Sequence, residues 1–213
     1  GRVGQGLVGG GHRGGHMGHR GPLGVGVPQA AERDVGESRA RVRRAMHAYV
    51  AIGVCEKLPQ TMGSMFNTQV YIGPDGRLIR KHQKIMPTVG ERLVHMGGYG
   101  DTFGAFASEF GPMSGLICGE NSNPLAIFAL IAEGTRIHVM SWPNHFPTSG
   151  DPLRNRVAID SQAFAQMSKA FVISACGTVD ERMIEMLQAG PEGEKFLRNP
   201  NCCGGSLIVD PLS

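Results

Sequence analysis

The sequence predicts a layered α/β domain over residues 30–213. From Gln29 onward, apolar segments of strand length alternate with segments whose apolar residues recur at helical spacing. The chain has 213 residues and 41% hydrophobic side chains, which is enough to bury one sizeable core. Turn-forming residues such as Pro74-Asp75-Gly76 separate the apolar segments. These three observations favour one domain of alternating strands and helices.

The first half of this region predicts a helix followed by three strands. Residues 30–47 have helical periodicity and lead into an apolar strand over Tyr49–Cys55. Asn67–Gly73 and Arg77–Arg80 flank Pro74-Asp75-Gly76, in which proline sets φ for a turn and glycine accepts the positive φ that closes it. We therefore expect these two strands to form a β-hairpin.

The second half predicts alternating strands and helices that end in a strand. The predicted strands are Met113–Cys118, Arg136–Trp142, Ala170–Cys176 and Gly205–Asp210, and the predicted helices are Asn123–Ala132 and Leu153–Lys169. A further short helix carries Met183, Met186 and Leu187, which we interpret as a packing face, one that could contact another subunit.

Residues 1–29 differ in composition from the rest of the chain. Glycine, histidine and arginine dominate them, and the first carboxylate of the sequence is Glu32. Glycine-rich chain loses much entropy on ordering and has few large apolar groups to offset the loss, so we expect this segment to be disordered or foreign to the domain. The spacing of His12, His16 and His19 could suit a metal ion, but no cysteine or carboxylate accompanies them, and we predict no metal site.

The overall composition disfavours several classes of function. The 21 lysine and arginine residues exceed the 18 acidic residues only slightly, so the net charge of +3 does not predict a nucleic-acid partner. The five cysteines are too sparse for the disulfide framework of a small secreted protein. No apolar run is long enough for a membrane span, and no apolar stretch near the start resembles a secretion signal. We therefore expect a cytoplasmic protein without a membrane segment.

One cysteine occupies a position that suits a nucleophile. Cys118 ends an apolar strand and precedes the helix that Asn123-Pro124 opens. A thiol near a helix N-terminus or beside a cation has a lowered pKa, and the thiolate is the form that attacks an electrophilic carbon. The alternative is a small buried apolar residue, which describes most cysteines.

Two segments and several shorter blocks set Cys118 in a wider pattern. The first segment contains Lys84-Ile85-Met86-Pro87-Thr88 and Glu91-Arg92-Leu93-Val94, and the second is Cys118-Gly119-Glu120-Asn121. The shorter blocks are Phe66-Asn67-Thr68, Pro74-Asp75-Gly76, Ser141-Trp142-Pro143 and the run from Cys203 to Pro211. In this order the blocks resemble the nitrilase branch of the carbon-nitrogen hydrolases, over about residues 40–213.

The resemblance implies a fold, a reaction and a role for three residues. The family fold is an αββα sandwich, which would be incomplete at both ends here. By resemblance, Cys118 attacks the nitrile carbon to give a covalent thioimidate, and Lys84 stabilises charge on the nitrogen and lowers the thiol pKa. Glu91 would hold the lysine and the substrate, or it is a surface carboxylate paired with Arg92 or Lys84. Water would then release ammonia and a carboxylic acid, without a metal or an organic cofactor.

The family's general-base glutamate has no counterpart at the expected place. In the resembled proteins it lies on an early strand, and counting back from Lys84 reaches the start of the chain, where no carboxylate occurs. Glu56 aligns with a different family glutamate, so we do not assign it as the base. A general base contributes typically about 10²–10⁴-fold in rate, so we expect the chain as given to be a poor catalyst. The alternatives to nitrile hydrolysis are an amidase or cyanide-converting activity, or a catalytically silent fragment or assembly subunit.

Several other residues support further predictions. Trp142, Asn144 and His145 follow the strand after Cys118, where α/β folds place ligand contacts, and by resemblance we predict that they bind substrate. The alternative is a buried aromatic residue followed by a polar loop. We expect His138 to be a packed strand residue and Cys202-Cys203 to be structural. By resemblance, the expected partners are a small-molecule nitrile and further copies of the chain in a homo-oligomer.

Overall fold

The computed structural model describes residues 48–148 and 150–212, which form two β-sheets and four helices. The segment at residues 1–29 and the helix predicted at residues 30–47 lie outside the described residues. No helix within the described part of the chain is long and apolar enough to cross a membrane.

The first sheet is a three-stranded antiparallel meander. It consists of β1 (Val50–Lys57), β2 (Met65–Ile72) and β3 (Leu78–Gln83) in the order β1-β2-β3. The predicted hairpin is confirmed: Gly76 has a φ of 76°, and its N–H donates to the carbonyl of Gly73 at 2.8 Å. Strand β3 extends three residues beyond the predicted Arg80, so that it ends directly before Lys84.

The second sheet is mostly parallel and has helices between its strands. Its strands are β4 (Met113–Ile117), β5 (Ile137–Trp142), β6 (Phe171–Cys176) and β7 (Leu207–Val209), of which only β7 runs antiparallel to its neighbour. The helices are α1 (Pro124–Ala132), α2 (Leu153–Ser168), α3 (Glu181–Leu187) and α4 (Gly190–Leu197). The element order predicted for this half is confirmed, except that α4 was not expected.

Helices α1 and α2 cover one face of the second sheet. Leu130 of α1 and Val157 and Phe164 of α2 are almost completely buried against Leu116 and Met140 of the strands. Side chains of this size each contribute about 1.5–3 kcal/mol when fully buried. Helix α1 begins where the Asn123 side chain accepts hydrogen bonds from the N–H groups of the first turn, as expected for an N-cap.

The two sheets pack against each other through a small shared core. Tyr71 of the first sheet contacts Met113 and Val139 of the second. The sheets approach closely at Gly115, where an added Cβ would collide with the Tyr71 hydroxyl and the side-chain oxygen of Gln69. The α/β fold is confirmed, and the described residues supply two sheets and one helical layer of the expected sandwich.

Two side chains on α3 do not pack inside the described part of the chain. Met186 is 72% exposed and Leu187 is 52% exposed, while Met183 is half-buried. A contact of this face with another subunit therefore stays a prediction. His138 is fully buried on β5, which confirms that it is a packed strand residue.

Candidate active site

Cys118 lies at the sharp turn where β4 ends. It is the first residue of a 3₁₀ turn, Cys118–Ser122, and its φ of 53° lies in the left-handed region that residues other than glycine rarely adopt. Its side chain is partly buried and lines a cavity. The thiol therefore lies at the end of a buried strand, on a residue whose backbone conformation is strained.

The carboxylate of Glu120 fixes the turn to the segment that follows β3. One of its oxygens accepts from the N–H of Ile85 at 2.7 Å, and the other accepts from the N–H of Ile117 at 3.0 Å. The second oxygen also lies 2.9 Å from Nε2 of His82. Because these donors come from both sheets, Glu120 sets the position of Cys118 relative to Lys84.

A second polar group supports the same turn from the opposite side of β4. The side-chain amide of Asn121 donates to the carbonyl oxygens of Cys118 at 3.0 Å and Leu116 at 3.3 Å. Its oxygen lies 3.2 Å from Nε2 of His138, whose Nδ1 lies 2.8 Å from the hydroxyl of Ser114. Burial lowers the pKa of His138 to about 3, so the ring is neutral and, in this arrangement, donates from Nε2 to Asn121.

Lys84 and Glu91 form an ion pair beside the turn. The Lys84 side chain is fully buried, and its Nζ donates to Glu91 at 2.5 Å and to the hydroxyl of Thr88 at 3.1 Å. Lys84 is held at its backbone as well, because its N–H donates to the carbonyl of Asn67 and its carbonyl accepts from Gly98. Burial of a lysine ammonium requires such partners.

The carboxylate of Glu91 has several further donors. The Thr88 N–H donates to it at 2.6 Å and the Asn67 side-chain amide at 2.7 Å, in addition to Lys84. Burial alone would raise the pKa of Glu91, but these donors hold it below its usual value. Glu91 is therefore paired with Lys84, whereas Arg92 donates to the carbonyl of Pro87.

Burial and charge act in opposite directions on the Cys118 thiol. Burial raises its pKa above the ordinary value, and this effect is larger than the lowering by the positive charge of Lys84. Glu91 raises the thiol pKa further, and Arg156 lowers it. The predicted lowering by Lys84 is present, but the expected net direction is wrong because the partly buried thiolate would lose its hydration.

A cavity of about 570 Å³ opens beside Cys118. Thr88 lines it and contacts Lys84, so the cavity reaches the surroundings of the ion pair. The other lining residues are Gly119, Trp142, Phe146, Pro147, Thr148, Asp151, Leu153, Asn155, Arg156, Ile159 and Asp160. A volume of this size is typical of small-molecule sites.

The three predicted substrate-binding residues are not all at this cavity. Trp142 lines it, but Asn144 and His145 are not among its lining residues. The Asn144 amide lies 3.3 Å from the sulfur of Met183, and Nε2 of His145 lies 3.4 Å from Sγ of Cys203. A role of these residues in substrate binding stays a prediction.

Glu56 forms its ion pair and hydrogen bonds with side chains of the first sheet. Lys81 forms an ion pair with it at 2.5 Å, and Gln83 and Thr68 donate to it at 3.0 and 2.9 Å. Burial opposes ionisation, but these donors lower the pKa of Glu56. It does not line the cavity of Cys118.

Within residues 48–148 and 150–212, no cluster of three or more histidine, cysteine or acidic side chains could hold a metal ion.

Sequence reasoning did not assign a role to Glu120, Asn67 or Thr88. All three lie inside the sequence blocks that carry the family resemblance, so polar side chains were expected at these positions, but their contacts were not. Their roles depend on contacts between the two sheets and between loops, such as the 35-residue separation of Ile85 and Glu120. Arg156 and Asp160 were missed because charged residues on a helix are usually solvated.

Comparison with known proteins gives the family. The sequence profile of the carbon-nitrogen hydrolases matches residues 29–212. Together with the packing of two sheets, this match defines the class: the chain belongs to the carbon-nitrogen hydrolase family.

Several curated relatives are nitrilases. The chain is 36% identical over 156 residues to Nitrilase 3 of an unknown prokaryotic organism, which covers 73% of this chain and 44% of that protein. It is 32% identical over 181 residues to the aliphatic nitrilase of Sinorhizobium fredii, covering 83% and 53%. A cyanide hydratase of Gibberella zeae is 38% identical over 111 residues, covering 50% and 30%. The chain thus spans about half the length of the two nitrilases.

Solved structures share the fold at low sequence identity. The carbon-nitrogen hydrolase of Helicobacter pylori G27 superposes with a TM-score of 0.66 and 16% identity, covering 86% of this chain and 61% of that one. An amidase from Nesterenkonia sp. gives a TM-score of 0.57 at 16% identity, covering 84% and 60%.

Proposed function

We propose that this chain carries the reacting groups of an enzyme that hydrolyses an organic nitrile to a carboxylic acid and ammonia. The observation that supports this most strongly is the cavity at Cys118, where the thiol experiences the positive charge of the buried Lys84, which is paired with Glu91. The identities to nitrilases favour a nitrile over other carbon-nitrogen bonds.

The first step forms a bond between Sγ of Cys118 and the nitrile carbon. The electron pair of one C–N π bond moves to nitrogen, which takes up a proton and gives a thioimidate. Lys84 stabilises the developing negative charge, since its buried ammonium group already acts on the Cys118 thiol by lowering its pKa. The Glu91 carboxylate and the Thr88 hydroxyl hold Nζ in place for that role.

Two molecules of water complete the reaction. The first adds to the thioimidate carbon, both of its protons pass to the nitrogen, the C–N bond breaks to release ammonia, and a thioester remains on Cys118. The second water releases the carboxylic acid and restores the thiol. Both additions need a proton acceptor, and Glu91 is a poor one because three donors already hold it in its ionised form. We therefore expect formation of the covalent intermediate to be faster than its hydrolysis in this chain.

Analysis of the reaction products distinguishes a nitrilase from an amidase or a cyanide-converting enzyme. Aliphatic and aromatic nitriles, their amides and cyanide are incubated with the chain, and ammonia, acid and amide are quantified. The proposal predicts acid and ammonia from nitriles, and loss of both in Cys118→Ala. Cys55→Ala is the matched control, because Cys55 lies on β1 outside the cavity. Ammonia from amides alone, or amide as the sole product from cyanide, would replace the nitrilase assignment by an amidase or cyanide-converting one.

Self-association is part of the same proposal and is measured separately. Size-exclusion chromatography with light scattering gives the mass of the chain in solution, and a homo-oligomer is expected. Leu187→Glu on the exposed face of α3 tests whether that face forms the contact, because a buried charge at an apolar interface is costly.

A further inference from the structure

The cavity at Cys118 contains a cation that the proposed chemistry does not use. Arg156 and Asp160 both line the cavity and lie one turn apart on α2. The Arg156 side chain is 62% exposed, and its Nε lies 4.0 Å from Oδ2 of Asp160, which is beyond hydrogen-bond length. Among residues 48–148 and 150–212, this long contact with Asp160 is the one charged partner of the Arg156 guanidinium group, and no hydrogen bond is formed.

Arg156 differs from Lys84, whose cationic group already has hydrogen-bond acceptors. The ammonium of Lys84 is buried and already donates to Glu91 and Thr88, so its charge is largely compensated. The positive charge of Arg156 nevertheless reaches the nucleophile, since it lowers the pKa of the Cys118 thiol. The guanidinium group therefore lies near the thiol with its N–H donors available to a ligand.

We propose that Arg156 binds a carboxylate group of the substrate, so that the site selects nitriles that also carry a carboxylate. A guanidinium group is planar and presents pairs of N–H donors that match the two oxygens of a carboxylate. Trp142, Phe146 and Ile159 line the same cavity and supply apolar contacts for the carbon chain between the two groups. The inference rests on the proposed function, of which it specifies the substrate class: cyano-carboxylates.

The acidic residues of the cavity also affect which anionic substrates can bind. Asp151 also lines the cavity, and its negative charge disfavours substrates that carry a second carboxylate. Asp160 also competes with the substrate for Arg156, although their separation of 4.0 Å makes the competition weak. Removing the charge of Asp160 is therefore expected to strengthen the binding of a carboxylate, whereas removing Arg156 weakens it.

Binding is measured without turnover in the Cys118→Ala protein. Trp142 is the only tryptophan of the chain and lines the cavity, so its emission reports occupancy. The probes are cyanoacetate and 4-cyanobutyrate, each compared with the corresponding neutral amide. We expect each acid to bind about tenfold more tightly than its amide, as charge-assisted bidentate hydrogen bonds allow. In Arg156→Gln this ratio falls towards one, in Arg156→Lys it falls partly, and in Asp160→Asn it rises.

Arg154→Gln is the matched control. Arg154 lies on the same helix and its removal changes the net charge equally, but it contacts the carbonyl of Pro200 and does not line the cavity. Equal binding of acid and amide, or an equal loss of preference in Arg154→Gln and Arg156→Gln, overturns the inference. Turnover distinguishes it from the proposed function: hydrolysis of neutral nitriles without preference for acids refutes only the role of Arg156. Acid binding through Arg156 with no covalent adduct from any nitrile refutes the proposed function instead.

Discussion

Glu120 offers the sharpest test of how the fold positions the reacting groups. Its carboxylate accepts hydrogen bonds from the N–H groups of Ile85 and Ile117 and contacts His82; the contacts with Ile117 and His82 are buried, and the contact with Ile85 is partly buried. Glu120→Ala leaves two backbone N–H groups without an acceptor. An unsatisfied buried donor costs about 1–3 kcal/mol, so the substitution is expected to lower the free energy of unfolding by about 2–6 kcal/mol.

Glu120→Gln separates hydrogen bonding from shape. Glutamine keeps one acceptor oxygen for Ile85, but its NH₂ group then faces the N–H of Ile117, which cannot accept. The expected loss is about 1–3 kcal/mol, one unsatisfied donor instead of two. Urea unfolding followed by the emission of Trp142 measures both variants, with Glu192→Ala as a control at an exposed helical position.

The alkylation rate of the Cys118 thiol provides an independent test of the Glu120 variants. Displacing the turn moves Cys118 relative to Lys84, so the rate of alkylation by iodoacetamide should change in Glu120→Gln under conditions in which the protein stays folded. Stability equal to that of the Glu192→Ala control, together with an unchanged alkylation rate, would refute the positioning role of Glu120.

Three further predictions follow from other contacts. Gly115→Ala should cost about 3 kcal/mol or more by urea unfolding, because its methyl group would collide with Tyr71 where the sheets approach; a loss below about 1 kcal/mol would mean that the sheets separate easily. His138 has a pKa of about 3 in the fold because of its burial, against 6.5 for an ordinary histidine. The unfolded chain therefore binds the proton first, and stability should fall by up to about 1.4 kcal/mol per pH unit as the pH drops from 6.5 towards 3. His138→Gln should flatten that slope, and an unchanged slope would assign it to other groups. Lys84→Met should raise the pKa of the Cys118 thiol and slow its alkylation at pH 8 by about tenfold, because the positive charge is lost while the opposing charge of Glu91 remains; an unchanged rate would show that Lys84 does not act on the thiol.

The order of the elements was predictable because local signals determine it. The parallel strands β4 and β5 are buried on both faces and read as apolar runs, and Asn123-Pro124 marks the start of α1 between them. Helix α4 was missed because Gly190-Pro191 opens it and Gly193 lies inside it, a pattern that indicates a turn when only the sequence is considered.

The site was predictable only in part. Cys118, Lys84 and Glu91 are found from the motifs they occupy, and the contact between Lys84 and Glu91 agrees with both interpretations of Glu91, since each of them allows a pair with Lys84. The thiol pKa was not predictable, since burial depends on how the cavity is enclosed by segments distant in sequence. Arg156 reaches Cys118 for the same tertiary reason, because α2 follows β5 and returns across the sheet.

The covalent intermediate provides the most direct test of the nucleophile. The chain is incubated with a nitrile, quenched in acid, and its intact mass and peptide masses are measured. Because three donors hold Glu91 in its ionised form and make it a poor proton acceptor for the hydrolysis steps, the adduct should accumulate. We expect a mass increase of one nitrile, or of the corresponding acyl group, on the peptide that contains Cys118, slower in Lys84→Met and absent in Cys118→Ala. No adduct with any nitrile, or an equal adduct in Cys118→Ala, would contradict the assignment of Cys118 as the nucleophile.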